Sequence, residues 1–227
     1  MSEITNKKLL LTAISRLIFG IGILGLLLFL CAGDIWYWNA WIYIGTLALA
    51  IFCFGAYLFI KDKELLQKRL SAKEKEKKQN IYNATAGLSM LAVFSLSGLD
   101  YRFCWSEVPF TAVIAALVFM LLGYGLFVIT LIYNRYASRI IEVQDNQKVI
   151  DTGVYAFVRH PLYTAAFIMF SASPIVLGSF YAAIPLVLYL AGILFRIKDE
   201  EKILREGLEG YTAYCKKVRY RLVPFIW

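Results

Sequence analysis

RHPLYTAAFIMFSASPIVLGSFYAAIPLVLYLAGILFRIKDEE, running from Arg159 to Glu201, holds an unbroken apolar run between two polar clusters. The run from Leu162 to Phe195 is too long for one membrane crossing, which takes about 20 residues. Pro174, Gly178 and Ser179 fall near its middle and signal a tight turn. The stretch therefore predicts a helical hairpin whose polar ends return to one level, and Pro185 is expected to kink the second arm. At the near end Arg159, the chain's one histidine (His160) and Pro161 make a donor-rich turn. Pro161 keeps His160 out of the helical region and opens the next helix at its first position, where a missing N–H costs nothing. At the far end Arg196 and Glu200 lie four residues apart, on one face of a helix leaving the membrane.

The rest of the chain agrees with a membrane setting. Of its 227 residues 60% are hydrophobic and the mean hydropathy is +0.63, well beyond a soluble domain, in which about half the residues are apolar. The expected fold is an all-α integral membrane protein with about six transmembrane helices, counted by the length a span requires. These are Ile14–Cys31, Ala40–Ile60, Ile81–Leu99, Phe110–Tyr133 and the two arms of the hairpin. Arg16 can snorkel from the first span, and Trp36, Tyr37, Trp38 and Trp41 read as an interfacial aromatic belt. The third span is more polar, with Asn83, Ser89, Ser95 and Ser97 suited to facing other helices. Gly123, Tyr124 and Gly125 mark a close helix contact or a kink in the fourth. Asp100–Pro109 reads as a short loop.

A net charge of +8 would point to nucleic acid in a soluble chain. Here the cations lie in a few segments between apolar runs, and with six spans 23 of the 24 Lys and Arg residues fall on one side, Arg102 alone on the other. The positive-inside rule then puts both termini and both polar clusters in the cytoplasm. Lys61–Asn80 is a charged connector, helical at its start, solvated or in contact with anionic headgroups. A signal peptide is disfavoured because no small-x-small site follows the first apolar run. Cys31, Cys53, Cys104 and Cys215 form no CxxC pair, and with one histidine no metal site is expected.

Two regions follow: residues 1–133, with four spans, and residues 134–227, with a cytoplasmic segment (Asn134–Arg159), the hairpin and an amphipathic tail. In that tail Ile203, Leu204, Leu208, Tyr211 and Tyr214 approximate one helical stripe, followed by Lys216, Lys217, Arg219 and Arg221. It is expected to lie on the membrane surface or to cap the polar segment.

GVYAFVRHPLY (Gly153–Tyr163), the pair Glu200–Glu201 one hairpin later, and Leu208, Tyr211 and Tyr214 as LxxYxxY together resemble the isoprenylcysteine carboxyl methyltransferases and the related phospholipid methyltransferases. The family form of the first motif is GPYxxxRHPxYxG, from which Val154 and Ala165 depart. QKVIDTG, Gln147–Gly153, looks like the lead-in of bacterial members. The resemblance implies S-adenosylmethionine held at the cytoplasmic membrane surface, with a lipidic acceptor entering from the bilayer. Residue by residue it implies cofactor contacts at Glu142, Gln147, Lys148, Val149, Ile150, Tyr155, His160, Pro161, Leu162, Tyr163 and Glu200, and an acceptor contact at Arg196. It implies carboxyl O-methylation of a prenylcysteine-like or other isoprenoid or fatty acid substrate, with N-methylation of an aminophospholipid as the alternative. Membrane sterol reductases are similar in the C-terminal hairpin and would bind a nicotinamide cofactor, but are expected to be longer. A non-catalytic membrane protein is the remaining alternative.

The side chains suit methyl transfer, an in-line displacement that rests on positioning and exclusion of water. Glu200 can accept from an ammonium or a ribose, His160 and nearby backbone N–H groups can meet a carboxylate, and Tyr155 and Tyr163 can wall a flat ring. Arg196 can hold an ionised carboxylate acceptor bidentately, and such an acceptor needs no base. An amine acceptor would have to lose a proton, for which Glu201 or a tyrosine is available. Outside this context His160 reads as a structural histidine, Arg196 with Glu200 as a helix ion pair, Glu201 as support or a solvated face, and Tyr211 and Tyr214 as packing. Arg159 fits a headgroup or phosphate as well as an active site.

Overall fold

A computed structural model describes residues 3–71, 77–134, 136, 143 and 147–227. Every regular element among them is helical: α1 (Glu3–Ala32), α2 (Trp38–Lys61), α3 (Lys63–Ser71), α4 (Lys77–Phe103), α5 (Phe110–Tyr133), α6 (Pro161–Val176), α7 (Leu186–Gly207) and α8 (Tyr211–Lys217), with short 3-10 turns at Gly153–Ala156 and Tyr181–Ala183.

Four of these helical stretches are long and apolar enough to cross a membrane: Asn6–Ala32, Trp38–Lys61, Phe110–Tyr133 and Tyr181–Gly207. Two of the six expected spans fall outside that set. α6 has 16 residues, or about 24 Å at the helical rise, short of the roughly 30 Å hydrocarbon core. α4 is long enough at 27 residues, but its serines and Asn83 lower its hydropathy. It also runs on through Phe103, so the loop expected from Asp100 begins only at Cys104. Pro185 immediately precedes α7 instead of kinking it, since a missing N–H is tolerated there and not in a helix interior.

The chain divides into two units. The first comprises Met1–Ala72, Leu91–Leu117 and Ser173–Pro185. Within it α3 folds back so that Leu65 and Leu66 bury against Leu9 and Leu58. A Cβ on Gly98 would stand 2.6 Å from Cys31 Cβ and 2.8 Å from the Leu28 carbonyl, so glycine there lets α4 approach α1 closely. The turn after α6 is held by buried polar groups. Tyr37 donates to the Leu177 carbonyl and Asn39 Nδ2 to Val176 O at 2.9 Å. Asp100, 1% exposed, accepts from the Ser106 amide and hydroxyl, each at 2.7 Å, and from Ser179 Oγ. Of the expected aromatic belt, Trp36, Trp38 and Trp41 are exposed, whereas Tyr37 is fully buried because its hydroxyl serves this turn.

The second unit comprises Lys73–Met90, Val118–Ala172 and Leu186–Trp227. Its core is the predicted hairpin: Tyr163, Phe167 and Phe170 of α6 pack on Tyr189, Ile193 and Ile197 of α7, joined by Ala86 and Met90 of α4 and by Leu222 and Trp227. The Phe170 and Tyr189 rings meet edge-on at 5.1 Å. On α5, a Cβ on Gly123 would lie 2.7 Å from Ile168 Cγ2, while Gly125 has nothing within 4 Å, so the close helix contact rests on Gly123 alone. The amphipathic tail is not one helix. α7 ends at Gly207, Gly210 takes φ +82°, and α8 restarts the stripe, burying Leu208, Tyr211, Tyr214 and Val218 against Val143 and Val149. The tail thus packs against the described part of the polar segment, one of the two placements expected.

Candidate active site

The site is built on a turn that the first motif dictates. Gly153 has φ +60°, and a Cβ there would sit 2.5 Å from the Tyr133 ring, so only glycine brings the chain this close to the end of α5. Pro161 is the first residue of α6, and the His160 carbonyl accepts from the Tyr163 and Thr164 amides at 3.0 and 3.1 Å. The turn is then clamped by the C-terminal tail. Arg159 N–H donates to Tyr220 O at 2.9 Å and His160 N–H to Arg221 O at 3.0 Å, while Thr164 Oγ1 donates to Leu222 O at 2.6 Å. The His160 amide is therefore committed to the tail.

The two adjacent carboxylates of α7 meet opposite surroundings. Glu201 is 3% exposed, with Arg159 Nε 3.1 Å from Oε1, His160 Nε2 at 3.4 Å from the same oxygen, Arg221 Nε donating to Oε2 at 3.1 Å and Arg205 Nη2 at 3.6 Å. It is the counter-charge of a cationic cluster and not a solvated face. Glu200 is more open, accepts from Tyr163 Oη at 2.7 Å and has His160 Nδ1 at 4.0 Å. Arg196 Nε donates to that same Tyr163 oxygen at 2.8 Å. Arg196 and Glu200, expected to share a helix face, are joined through a tyrosine of the other hairpin arm.

Glu200, Tyr163, His160 and Arg196 border one cavity of about 110 Å³, which Glu201 does not line. Gln147, Lys148, Val149 and Ile150 line it on one side, and Tyr155, His160, Leu162, Tyr163, Arg196 and Glu200 complete it. Ten of the expected site residues are thus brought together. Pro161 is buried beside the cavity without lining it, because its role is to start α6, and Glu142 lies outside the described residues.

The sequence reading did not assign Arg159, Tyr211 and Tyr214 to the site, yet all three line it. Tyr214 Oη donates to the Tyr155 carbonyl at 2.8 Å, and Asn134 Nδ2 donates to Tyr155 Oη at 2.8 Å. The Tyr211 hydroxyl is buried with no hydrogen-bond partner among the described residues. Burial, with the Glu201 charge adding to it, raises its pKa well above the ordinary phenol value, so it stays a protonated donor. The LxxYxxY spacing was the available signal, and packing at a membrane surface explained it equally well.

This donor set suits a zwitterionic nucleoside. A partly open carboxylate, an unpartnered buried hydroxyl, a cationic cluster and apolar walls stand together, and adding a ligand would satisfy the orphaned Tyr211 group. At about 110 Å³ the cavity is smaller than the roughly 300–1,000 Å³ usual for small-molecule sites.

Residues 112–206, less than half of the chain, match the isoprenylcysteine carboxyl methyltransferase (ICMT) family. The resemblance carried by the paired motifs therefore stands, and it supports a membrane methyltransferase. A further relative is the delta(14)-sterol reductase TM7SF2 of Mus musculus, 29% identical over 90 residues, covering 38% of this chain and 22% of that protein. The chain thus spans about a fifth of the length of this curated relative.

Proposed function

We propose that the chain is an integral membrane methyltransferase that uses S-adenosylmethionine to O-methylate the carboxylate of a lipidic acceptor, a prenylcysteine-like or other isoprenoid or fatty acid. Residues 134–227 form its catalytic region, on the cytoplasmic side. The observation that carries the reading is Tyr163, whose hydroxyl bonds Arg196 and Glu200 at the edge of one cavity, inside the segment that matches the ICMT family.

S-Adenosylmethionine would supply a methyl group on a sulfonium, open to in-line displacement by an acceptor oxygen. Glu200 would accept from its ammonium or ribose, and Tyr211 and His160 would meet its polar tail. Tyr155 and Tyr163 would wall its ring, and the chain from Gln147 to Ile150 would bind its edge. Tyr163, donating to Glu200, accepts the Arg196 N–H and so holds the guanidinium beside the cofactor site. Arg196 in turn would orient the acceptor carboxylate, which is already ionised and needs no base. Exclusion of water falls to Leu204, Leu208 and α8, the side of the cavity the tail closes.

Calorimetry of S-adenosylmethionine on the detergent-purified protein tests this. Saturable binding is expected, weakened about tenfold or more, about 1.4 kcal/mol, in both His160→Ala and Glu200→Ala. Absence of binding to folded wild-type protein would refute the reading. A nicotinamide cofactor that bound instead would favour the sterol-reductase likeness.

A further inference from the structure

We infer that Asn83, on α4 and outside the segment that matches the ICMT family, is a positioning and specificity residue for the methyl acceptor and works with Arg196 to select a carboxylate over an amine. The inference rests on the proposed methyltransferase reading and extends its site beyond residues 134–227.

Two hydrogen bonds of Arg196 point in different directions. Its Nε donates to Tyr163 Oη, which lines the cavity; its Nη1 donates to Asn83 Oδ1 at 3.0 Å, and Asn83 does not line the cavity and is exposed. One bond therefore points to the cofactor side, and the other to a place an incoming substrate can reach. A guanidinium has donors only, so Asn83 must offer it the carbonyl oxygen, which turns the amide nitrogen away with two N–H donors to give. That nitrogen has no other partner among the described residues. The side chain thus fixes the cation and adds neutral donors beside it. An anion gains from both, whereas an ammonium is repelled by Arg196.

The placement comes from helix packing. Ala86 and Met90 of α4 join the α6–α7 core, at three and seven residues from Asn83 and so near its face of the helix. Gly192 on α7 lets α4 come near, since a Cβ there would meet Thr85 Oγ1 at 3.3 Å. On that face Asn83 meets the arginine expected to hold the acceptor.

The test compares wild type, Asn83→Ala and Asn83→Asp in full-length protein, measuring S-adenosylmethionine affinity and methyl transfer to N-acetyl-S-farnesylcysteine and to phosphatidylethanolamine. Asp keeps the oxygen that Arg196 uses but loses the N–H donors and adds a negative charge, so it separates positioning from mere packing. Expected are unchanged cofactor affinity in both variants, an acceptor KM raised about tenfold by Ala and further by Asp, and no transfer to the aminophospholipid by wild type. Variants with a wild-type acceptor KM, or with cofactor affinity falling in step with it, would overturn the role of Asn83 while leaving the methyltransferase reading intact. Wild-type transfer to phosphatidylethanolamine alone would overturn the carboxylate selection. A wild type that binds no S-adenosylmethionine overturns the methyltransferase reading and this inference with it.

Discussion

Glu200 and Glu201 are neighbours in sequence with different work to do, and their burial separates them. Among the described residues Glu201 carries the only carboxylate paired with Arg159 and Arg221, and Arg159 is itself buried. Glu201→Ala leaves that cation without a counter-charge and is expected to cost about 3–5 kcal/mol, read as a lower unfolding midpoint in detergent; Glu206→Ala, on an exposed site of the same helix, should leave the midpoint unchanged. The family resemblance implied His160, Tyr163, Arg196 and Glu200 as site residues. Sequence reasoning left Glu201 undecided because the residue that buries it, Arg221, arrives from the tail, twenty positions on. Tyr211 was legible as an aromatic stripe residue, but its orphaned hydroxyl appears only once α8 closes on the cavity.

Among the elements, the hairpin was readable from length and turn residues, and α6 and α7 pack as that reading required. The glycines of α5 were not readable, because a helix pattern says nothing about which glycine a neighbour approaches. Gly123→Ala should destabilise by about 1–3 kcal/mol through overpacking against Ile168 and Met169. Gly125→Ala, with open space around it, should be neutral or slightly stabilising through helix propensity. Thermal unfolding of the two variants side by side checks the contrast. The amphipathic stripe of the tail was legible as a period and not as two helices, since the break comes from Gly207 and from the left-handed backbone at Gly210.

For the molecule as a whole, the distribution of Lys and Arg predicts an orientation that labelling can test. Cys104 is exposed in the loop that begins after α4, next to Arg102 on the side expected to face away from the cytoplasm. Cys215, in α8, is expected on the cytoplasmic side by the same rule. A membrane-impermeant maleimide applied from outside should label Cys104, and Cys104→Ser should abolish that signal, while Cys215 reacts only after permeabilisation. Labelling of Cys215 in sealed cells would invert the topology. The N-terminal half, which no motif explained, also acquires a role at this scale: its α4 supplies Asn83 to the neighbourhood of Arg196, 113 positions away.

What the chain alone determined is whatever depends on local chemistry: apolar length sets the helices, Pro161 starts α6, and fixed spacings carry the family motifs. Tertiary structure decided the rest. Tyr37 left the aromatic belt, Glu201 became the centre of a cationic cluster, the tail took the His160 amide, and Asn83 met Arg196. Each of these depends on a partner distant in sequence, and a buried charge or polar group acquires its meaning only from the group that faces it.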